Sequence, residues 1–345
     1  MANDESRSTP SLVETSAEIE RPDYRDPNGE YIPVVVDGIR SGLLTEFDLY
    51  TKVTKDFFLV KPRKSAVTSL LLQRLEGRTP YVYIRAADGE RYFASVDQNL
   101  EQIVKNPSLG LREKAALLTD YAVGVVEKLF SDPGNPGTLN SAKNFTQNCV
   151  QYIASNRQAF LHLVELSSHD HYTYAHSVGV AAYTIALAGE MGSTEPAALA
   201  DAGLAGFLHD IGKSMVDPGI INKKGPLNEE EWVQMKKHPE LGAEILRRHK
   251  NLNPIIVLAA EGHHENLTGT GYPRGVVAKS LDPLVQVISL ADAFSALTTK
   301  RSYSNPRDSK AALMLMKDNL KTKFDPEMFR RFVLLFLDPN KRQAA

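Results

Sequence analysis

The chain changes its hydrophobic rhythm twice. Residues 1–29 have none: they are rich in Ser, Glu, Asp and Pro, which predicts a disordered leader. Short apolar runs then predict strands at Tyr31-Ile32-Pro33-Val34-Val35-Val36, at Phe47 to Val53 and at Phe57-Phe58-Leu59-Val60. A helical stretch from Ala66 to Leu75 leads to a further strand at Tyr81-Val82-Tyr83-Ile84. Asp88-Gly89 reads as a hairpin turn before a strand from Arg91 to Ser95. Residues 30–99 are therefore expected to form a small β-rich α+β module. It contains no His and no nucleotide-binding glycine motif, and a regulatory or dimerising role is the expectation.

From about Leu100 the period becomes helical and stays so. Leu111 to Phe130 predicts a helix stopped by Asp132-Pro133-Gly134-Asn135-Pro136-Gly137, and helices at Leu139 to Ser155 and Gln158 to Leu166 follow. Residues 100–157 read as connecting helices and a natural place for homodimer contacts. His171-Tyr172-Thr173-Tyr174-Ala175-His176 introduces a helix with the stripe Val178, Ala182, Ile185 and Gly189. Thr194 is the expected N-cap, and Pro196 the first turn, of a helix reaching Gly212; its buried stripe is Leu204, Phe207, Leu208 and Ile211. A helix starting near Asn228-Glu229-Glu230 breaks at His238-Pro239. Pro254 to His264 is apolar and ends on a histidine pair, and Asn266 to Gly275 is a glycine-punctuated loop. Leu284 to Thr299 is apolar apart from Asp292, a carboxylate that burial would make costly without a partner. Two further helices fall between Ser309 and Leu337. The predicted fold class is a two-domain α+β chain, with the small module followed by an all-α domain over residues 158–345.

Composition narrows the function. Hydrophobic content of 42% and charged content of 24% over 345 residues suit a soluble globular protein. A formal charge of -2 gives no electrostatic case for a nucleic-acid polymer or an anionic membrane. Cys149 is the only cysteine and no apolar run reaches a membrane span, so a reducing, cytoplasmic location is expected.

The candidate chemistry lies mostly between His209 and Asp292. His209, His238 and the pair His263-His264, with Asp210 and Asp292, form a metal-ligand constellation of imidazole and carboxylate, which suits Fe, Mn, Ni or Zn; the near-absence of cysteine argues against a closed structural zinc site. Neighbours on a helix point about 100° apart, so His209 and Asp210 would not both grip one ion, but Asp210 could bridge two. Paired ions suit phosphoryl chemistry. Glu229, Glu230 and Glu231 read as a solvated helix N-terminus.

The order of motifs is specific. His209-Asp210 is followed by Lys223-Lys224-Gly225-Pro226-Leu227, His238-Pro239-Glu240-Leu241-Gly242, and His263-His264-Glu265-Asn266 leading into Gly269-Thr270-Gly271-Tyr272-Pro273. Leu290-Ala291-Asp292-Ala293-Phe294 and a stretch through Arg301-Ser302-Tyr303 come after. From about His171 to Asp325 the chain resembles the HD-GYP phosphodiesterases, a branch of the HD-domain metal-dependent phosphohydrolases. The resemblance implies an all-helical domain that hydrolyses cyclic-di-GMP to linear pGpG and sometimes GMP. It also implies metal ligands at His176, His209, Asp210, His238, His263, His264 and Asp292, with Asp210 bridging two divalent ions, iron first and manganese or nickel as alternatives. His209, Asp210 and Lys213 would carry the catalysis, Lys213 facing a phosphate oxygen or the leaving group. Lys213, Gly271, Tyr272 and Arg301 would contact the dinucleotide, and the Gly-Tyr-Pro loop or the N-terminal module would receive a protein partner.

Three departures qualify the likeness. Some members carry a glutamate four residues before the first histidine, which supports a third metal; Tyr172 stands there, and a neutral phenol is a poor ligand, so the site is expected to be dinuclear. The family's second aspartate after Asp292 is Ser295. The arginine motif reads Arg301-Ser302-Tyr303-Ser304, without the usual proline and following basic residue. The latter two are expected to weaken substrate grip or alter its choice. They keep open a catalytically weak cyclic-di-GMP receptor, or an enzyme for another cyclic dinucleotide such as cyclic GMP-AMP.

Overall fold

A computed structural model describes residues 29–35, 46–75, 81–169, 173–277, 281–299, 306–319 and 322–337. The leader, Tyr172, Arg301, Ser302 and Ser304 lie outside the described residues.

The first unit is a four-stranded antiparallel sheet in the order β1-β4-β2-β3, built from β1 (Tyr31–Val35), β2 (Leu49–Val53), β3 (Asp56–Lys61) and β4 (Tyr81–Arg85). The short helix α1 (Ser69–Leu75) precedes β4. Val34, Phe47, Leu49, Val82 and Ile84 form its core. The predicted hairpin after Asp88-Gly89 is instead a helix, α2 (Gly89–Lys105). Gly89 takes right-handed helical angles, and Arg91 closes back on the Asp88 carboxylate at 2.8 Å. Leu100, Ile103 and Val104 are buried and Val96 packs on the core; this spacing of three and four outweighs the local turn signal.

Among the described residues, every element that follows is helical. The helices α3 (Leu111–Ser131), α4 (Pro136–Ser155), α5 (Arg157–His169), α6 (Thr173–Glu190) and α7 (Pro196–Leu208) come first. After them come α8 (Pro218–Ile221), α9 (Glu229–Met235), α10 (His238–Arg247), α11 (Pro254–Gly262), α12 (Pro283–Thr298), α13 (Ser309–Asn319) and α14 (Pro326–Leu334). α2 docks on this bundle through Asp97, whose carboxylate accepts from Tyr121, Ser141 and Asn144, while Phe93 stacks on Tyr121 at 4.9 Å. The bundle core centres on α6, which packs on α5, α7 and α12. Tyr183 of α6 meets Phe294 of α12 and Phe332 of α14 edge to face, at 5.2 and 5.7 Å. Among the described residues no helix is long and apolar enough to cross a membrane.

Two predicted boundaries move. The residue capping α7 is Glu195, with Pro196 in the first turn as expected. α7 ends at Leu208 rather than Gly212, and the chain tightens into a 3₁₀ turn over Ile211–Met215. The His-Asp pair therefore sits where one helical geometry gives way to another, and this break sets how the two side chains diverge.

Candidate metal centre

Three helix ends deliver four of the candidate ligands. His209 follows α7, His238 opens α10 directly after α9, and His263 and His264 follow α11. The last four carbonyls of a helix have no partner within it. In each case an imidazole takes one of these carbonyls, three residues back. His209 Nδ1 lies 2.7 Å from the Gly206 carbonyl, His238 Nδ1 2.7 Å from that of Met235, and His263 Nδ1 2.9 Å from that of Ala260. A carbonyl can only accept, so Nδ1 carries the proton and Nε2 of the neutral ring is left as a lone pair pointing inward. His176 on α6 and Asp292 on α12 complete the set from the bundle core.

The seven predicted ligands divide into two groups around one carboxylate. Asp210, His238, His263 and His264 form one, and His176, His209 and Asp292 the other, with the donor atoms of each group within 4.8 Å of one another. Asp210 faces both. Its Oδ1 lies 3.2 Å from His238 Nε2 and 3.7 Å from His263 Nε2; its Oδ2 lies 3.3 Å from His209 Nε2 and 3.9 Å from His176 Nε2. Asp292 Oδ1 closes the second group at 3.0 Å from His176 Nε2 and 3.8 Å from His209 Nε2.

These atoms fit a cation better than they fit one another. His238 and His263 bring their Nε2 atoms to 3.2 Å although both rings donate from Nδ1, so two lone pairs face each other. His209 Nε2 and Asp210 Oδ1 are buried and make no hydrogen bond. Divalent cations would resolve all of these contacts, and imidazole with carboxylate is the donor set they select.

The charge states of Asp210, Asp292, His263 and His264 agree with that reading. Burial alone would raise the carboxyl of Asp210, but His209 and Lys213 outweigh it and hold the group well below the usual carboxylate range. Burial likewise opposes, and His176 overcomes, for Asp292. His264 is pushed down to about 3, first by burial, and His263 is also lowered by burial and by His264. Both rings are therefore neutral and ready to ligate. His209 moves the other way: Asp210 and Asp292 raise it against the lowering effect of burial. Burial, then the two aspartates, raise the Tyr272 phenol, which stays protonated.

Four surrounding residues set the geometry. Lys213, one 3₁₀ turn past Asp210, donates to Asp210 Oδ2. Tyr272 stacks on His264 at 4.5 Å, and its amide donates to the His264 carbonyl at 3.3 Å. Gly271 beside it is required: a Cβ there would lie 2.4 Å from the His264 carbonyl oxygen and 2.6 Å from the Glu265 Cα. Glu265, which sequence reasoning quoted only within its motif, is buried. Its carboxylate accepts from the amides of Arg274, Gly275 and Val276 at 2.7, 3.1 and 3.1 Å, so it pins the Gly-Tyr-Pro loop against the histidine pair. The signal was present as an acidic residue directly after two ligands and before a glycine-rich loop.

Ser295 has a role different from the one expected. It is buried, and its Oγ lies 2.9 Å from His176 Nδ1, behind the ring rather than toward substrate. It orients the His176 ring. Ser295→Ala is expected to weaken metal at the His176 side by about 10-fold, the range seen when a ligand's supporting hydrogen bond is lost, with the fold retained. Competitive titration with a chelating dye measures this; an unchanged affinity would remove Ser295 from the metal centre.

Comparisons with known proteins agree with this geometry. The chain is 34% identical over 221 residues to the cyclic di-GMP phosphodiesterase PA4108 of Pseudomonas aeruginosa, covering 64% of this chain and 53% of that protein. It is 39% identical over 253 residues to the 3'3'-cGAMP-specific phosphodiesterase 3 of Vibrio cholerae, covering 71% of this chain and 50% of the relative. The chain thus spans about half the length of these curated relatives. Among solved structures, Bd1817, an HDG"Y"P protein from Bdellovibrio bacteriovorus, shares the fold with a TM-score of 0.65 at 23% identity; the match covers 88% of this chain and 98% of that one. The profile described as HD domain matches residues 149–328, more than half of the sequence and all seven candidate ligands, and the chain belongs to the HD-domain family.

Proposed function

We propose that the protein is a metal-dependent phosphodiesterase that hydrolyses cyclic-di-GMP to linear pGpG, with GMP as the alternative end product. The observation that carries this reading is Asp210, whose two oxygens face two separate ligand groups. His238, His263, His264 and Asp210 would hold one divalent ion, and His176, His209, Asp292 and Asp210 a second. Such ions, when bound, supply positive charge for non-bridging phosphate oxygens and acidify water near neutral pH. Iron is the metal proposed first, with manganese and nickel next, since all three accept this donor set. In the absence of a metal-binding residue at position 172, two ions per chain is the proposed stoichiometry.

The chain's own groups bind and orient the substrate. The Lys213 ammonium is 19% exposed and tethered to Asp210, so it can donate to a phosphate oxygen while keeping its place. The protonated Tyr272 hydroxyl is a donor at the rim of the site, and Arg301 is proposed as a second charge partner for phosphate. In hydrolysis the oxygen of water bonds to phosphorus, the P–O3′ bond breaks, and the 3′-oxygen leaves with a proton. Residues 30–99 are proposed as a regulatory module, residues 100–157 as homodimer contacts, and the cytoplasm as the location. The Gly-Tyr-Pro loop, its position fixed by Glu265, is the proposed contact for a protein partner.

The relative specific for 3'3'-cGAMP, similar over 71% of this chain, supports a second reading in which cyclic GMP-AMP is the substrate. Initial rates on the two dinucleotides, with metal-loaded and metal-stripped protein, decide between them. Metal-dependent turnover of cyclic-di-GMP at the higher kcat/KM supports the first reading; full metal content with no hydrolysis of either would leave a receptor.

A further inference from the structure

A groove opens beside the metal centre, and its lining is not explained by folding. Glu229, Trp232, Val233 and Lys236 recur at the spacing of one helix face and, with Tyr272 opposite, line an open surface groove of about 580 Å³. That volume lies within the range of small-molecule sites, roughly 300–1,000 Å³. α9 buries none of its residues fully; Trp232, the only tryptophan of the chain, is 46% exposed and Val233 59%. An exposed indole and valine side by side, facing a third aromatic ring, form a surface suited to a planar ligand. Tyr272 makes the groove continuous with the metal centre, since the same ring stacks on His264 and lies 5.8 Å from Lys236 Nζ.

The chemistry of the wall selects its occupant. An exposed indole beside an ammonium suits a base attached to a phosphate: the ring offers a stacking face, and Lys236 a charge partner for the phosphodiester. Glu229, at the outer end of the same face, is a carboxylate that can only accept. The Watson–Crick edge of guanine offers it two donors, N1–H and the N2 amino group. Adenine presents an acceptor at N1 instead, which a carboxylate repels. Glu230 does not line this wall, and Glu231 is engaged with Lys223 and the Asn228 amide, so Glu229 is the acidic residue of that run turned to the groove.

We propose that this groove seats one nucleobase of the cyclic dinucleotide, stacked on Trp232, and that Glu229 makes guanine the preferred base. This rests on the phosphodiesterase reading above. With guanine here, the base carried by the second nucleotide is left to the rest of the site, so cyclic-di-GMP and cyclic GMP-AMP are both admitted and cyclic-di-AMP is disfavoured.

Trp232 is its own reporter, since no other indole contributes to the fluorescence. Stopped-flow mixing of the metal-loaded full chain with cyclic-di-GMP or cyclic-di-AMP reads it before product accumulates. The expected result is a saturable quench with cyclic-di-GMP and at least about 10-fold weaker half-saturation with cyclic-di-AMP, a gap that Glu229→Gln narrows. Trp232→Ala should raise KM for cyclic-di-GMP on the order of 10-fold, the loss typical of one base–aromatic stack. Trp232→Phe should recover most of it, and kcat on bis(p-nitrophenyl) phosphate, which has no base, should fall far less than the dinucleotide kcat/KM. An unquenched Trp232 in protein that turns over cyclic-di-GMP overturns the proposal. So does a quench indifferent to the base, or an equal loss on both substrates in Trp232→Ala. If no cyclic dinucleotide is hydrolysed, the phosphodiesterase reading falls by itself, and the quench titration still decides the subsite: saturation retains it and a flat trace removes it.

Discussion

Asp210→Ala is expected to lower cyclic-di-GMP turnover by on the order of 10³-fold or more, with a cooperative unfolding transition retained. The size follows from position. Among the described residues, Asp210 is the only carboxylate whose two oxygens reach both ligand groups, so its loss is expected to weaken both ions rather than one. It also frees the Lys213 ammonium, which is tethered to Asp210 Oδ2. The fold survives because the surrounding core does not depend on the carboxylate: Leu204, Phe207, Leu208 and Ile211 pack around the break whether or not position 210 is charged. Removing Lys213's partner is tolerable because that side chain already reaches solvent. Metal content and turnover should fall together. Asp210→Asn keeps the shape but replaces one acceptor with a donor, so it should fail almost as badly. Turnover by Asp210→Ala within 10-fold of the wild type would sink the assignment.

Gly212→Ala acts on stability as well as on the site. A Cβ at this position would lie 1.9 Å from the His238 carbonyl oxygen, 2.4 Å from the Gly242 amide nitrogen and 2.9 Å from the Gly242 Cα. All three are backbone atoms in the first turns of α10, so no side-chain rotation relieves the clash. The 3₁₀ turn and α10 must separate, and His238 moves with them. A destabilisation of about 3 kcal/mol or more is expected, at the upper end of overpacking costs, together with loss of metal. Gly189→Ala is the control: it lies on an exposed part of α6 with nothing within 4 Å of the added carbon, and should be neutral or stabilising by about 0.5–1 kcal/mol. Chemical denaturation of the three proteins measures both effects, and a Gly212→Ala protein as stable as wild type would refute the packing argument.

The metal centre was legible in the sequence because its residues are rare and its spacing specific. The seven candidates from His176 to Asp292 converge in two adjoining groups. What the sequence concealed was how each ring is aimed. The carbonyls of Gly206, Met235 and Ala260 become hydrogen-bond partners only because the helices end there, and helix ends are set by tertiary packing as much as by local signals. Ser295 illustrates the same limit: beside Asp292 in sequence it reads as a lost substrate contact, yet the helical turn places it behind His176. Asp88-Gly89 failed differently. Its turn signal is local, and the apolar stripe continuing to Val104 decides the segment as helix. Glu229 was read with its neighbours as a solvated helix start, and only the fold separates the one that lines a groove from the one that caps the helix.

The most direct measurement is an anomalous difference map from crystals of the metal-loaded protein, collected at the absorption edge of that metal. The account predicts two peaks per chain, one on each side of the Asp210 carboxylate, the first ringed by His238, His263 and His264 and the second by His176, His209 and Asp292. A single peak, a third peak, or a pair not shared by Asp210 would contradict it.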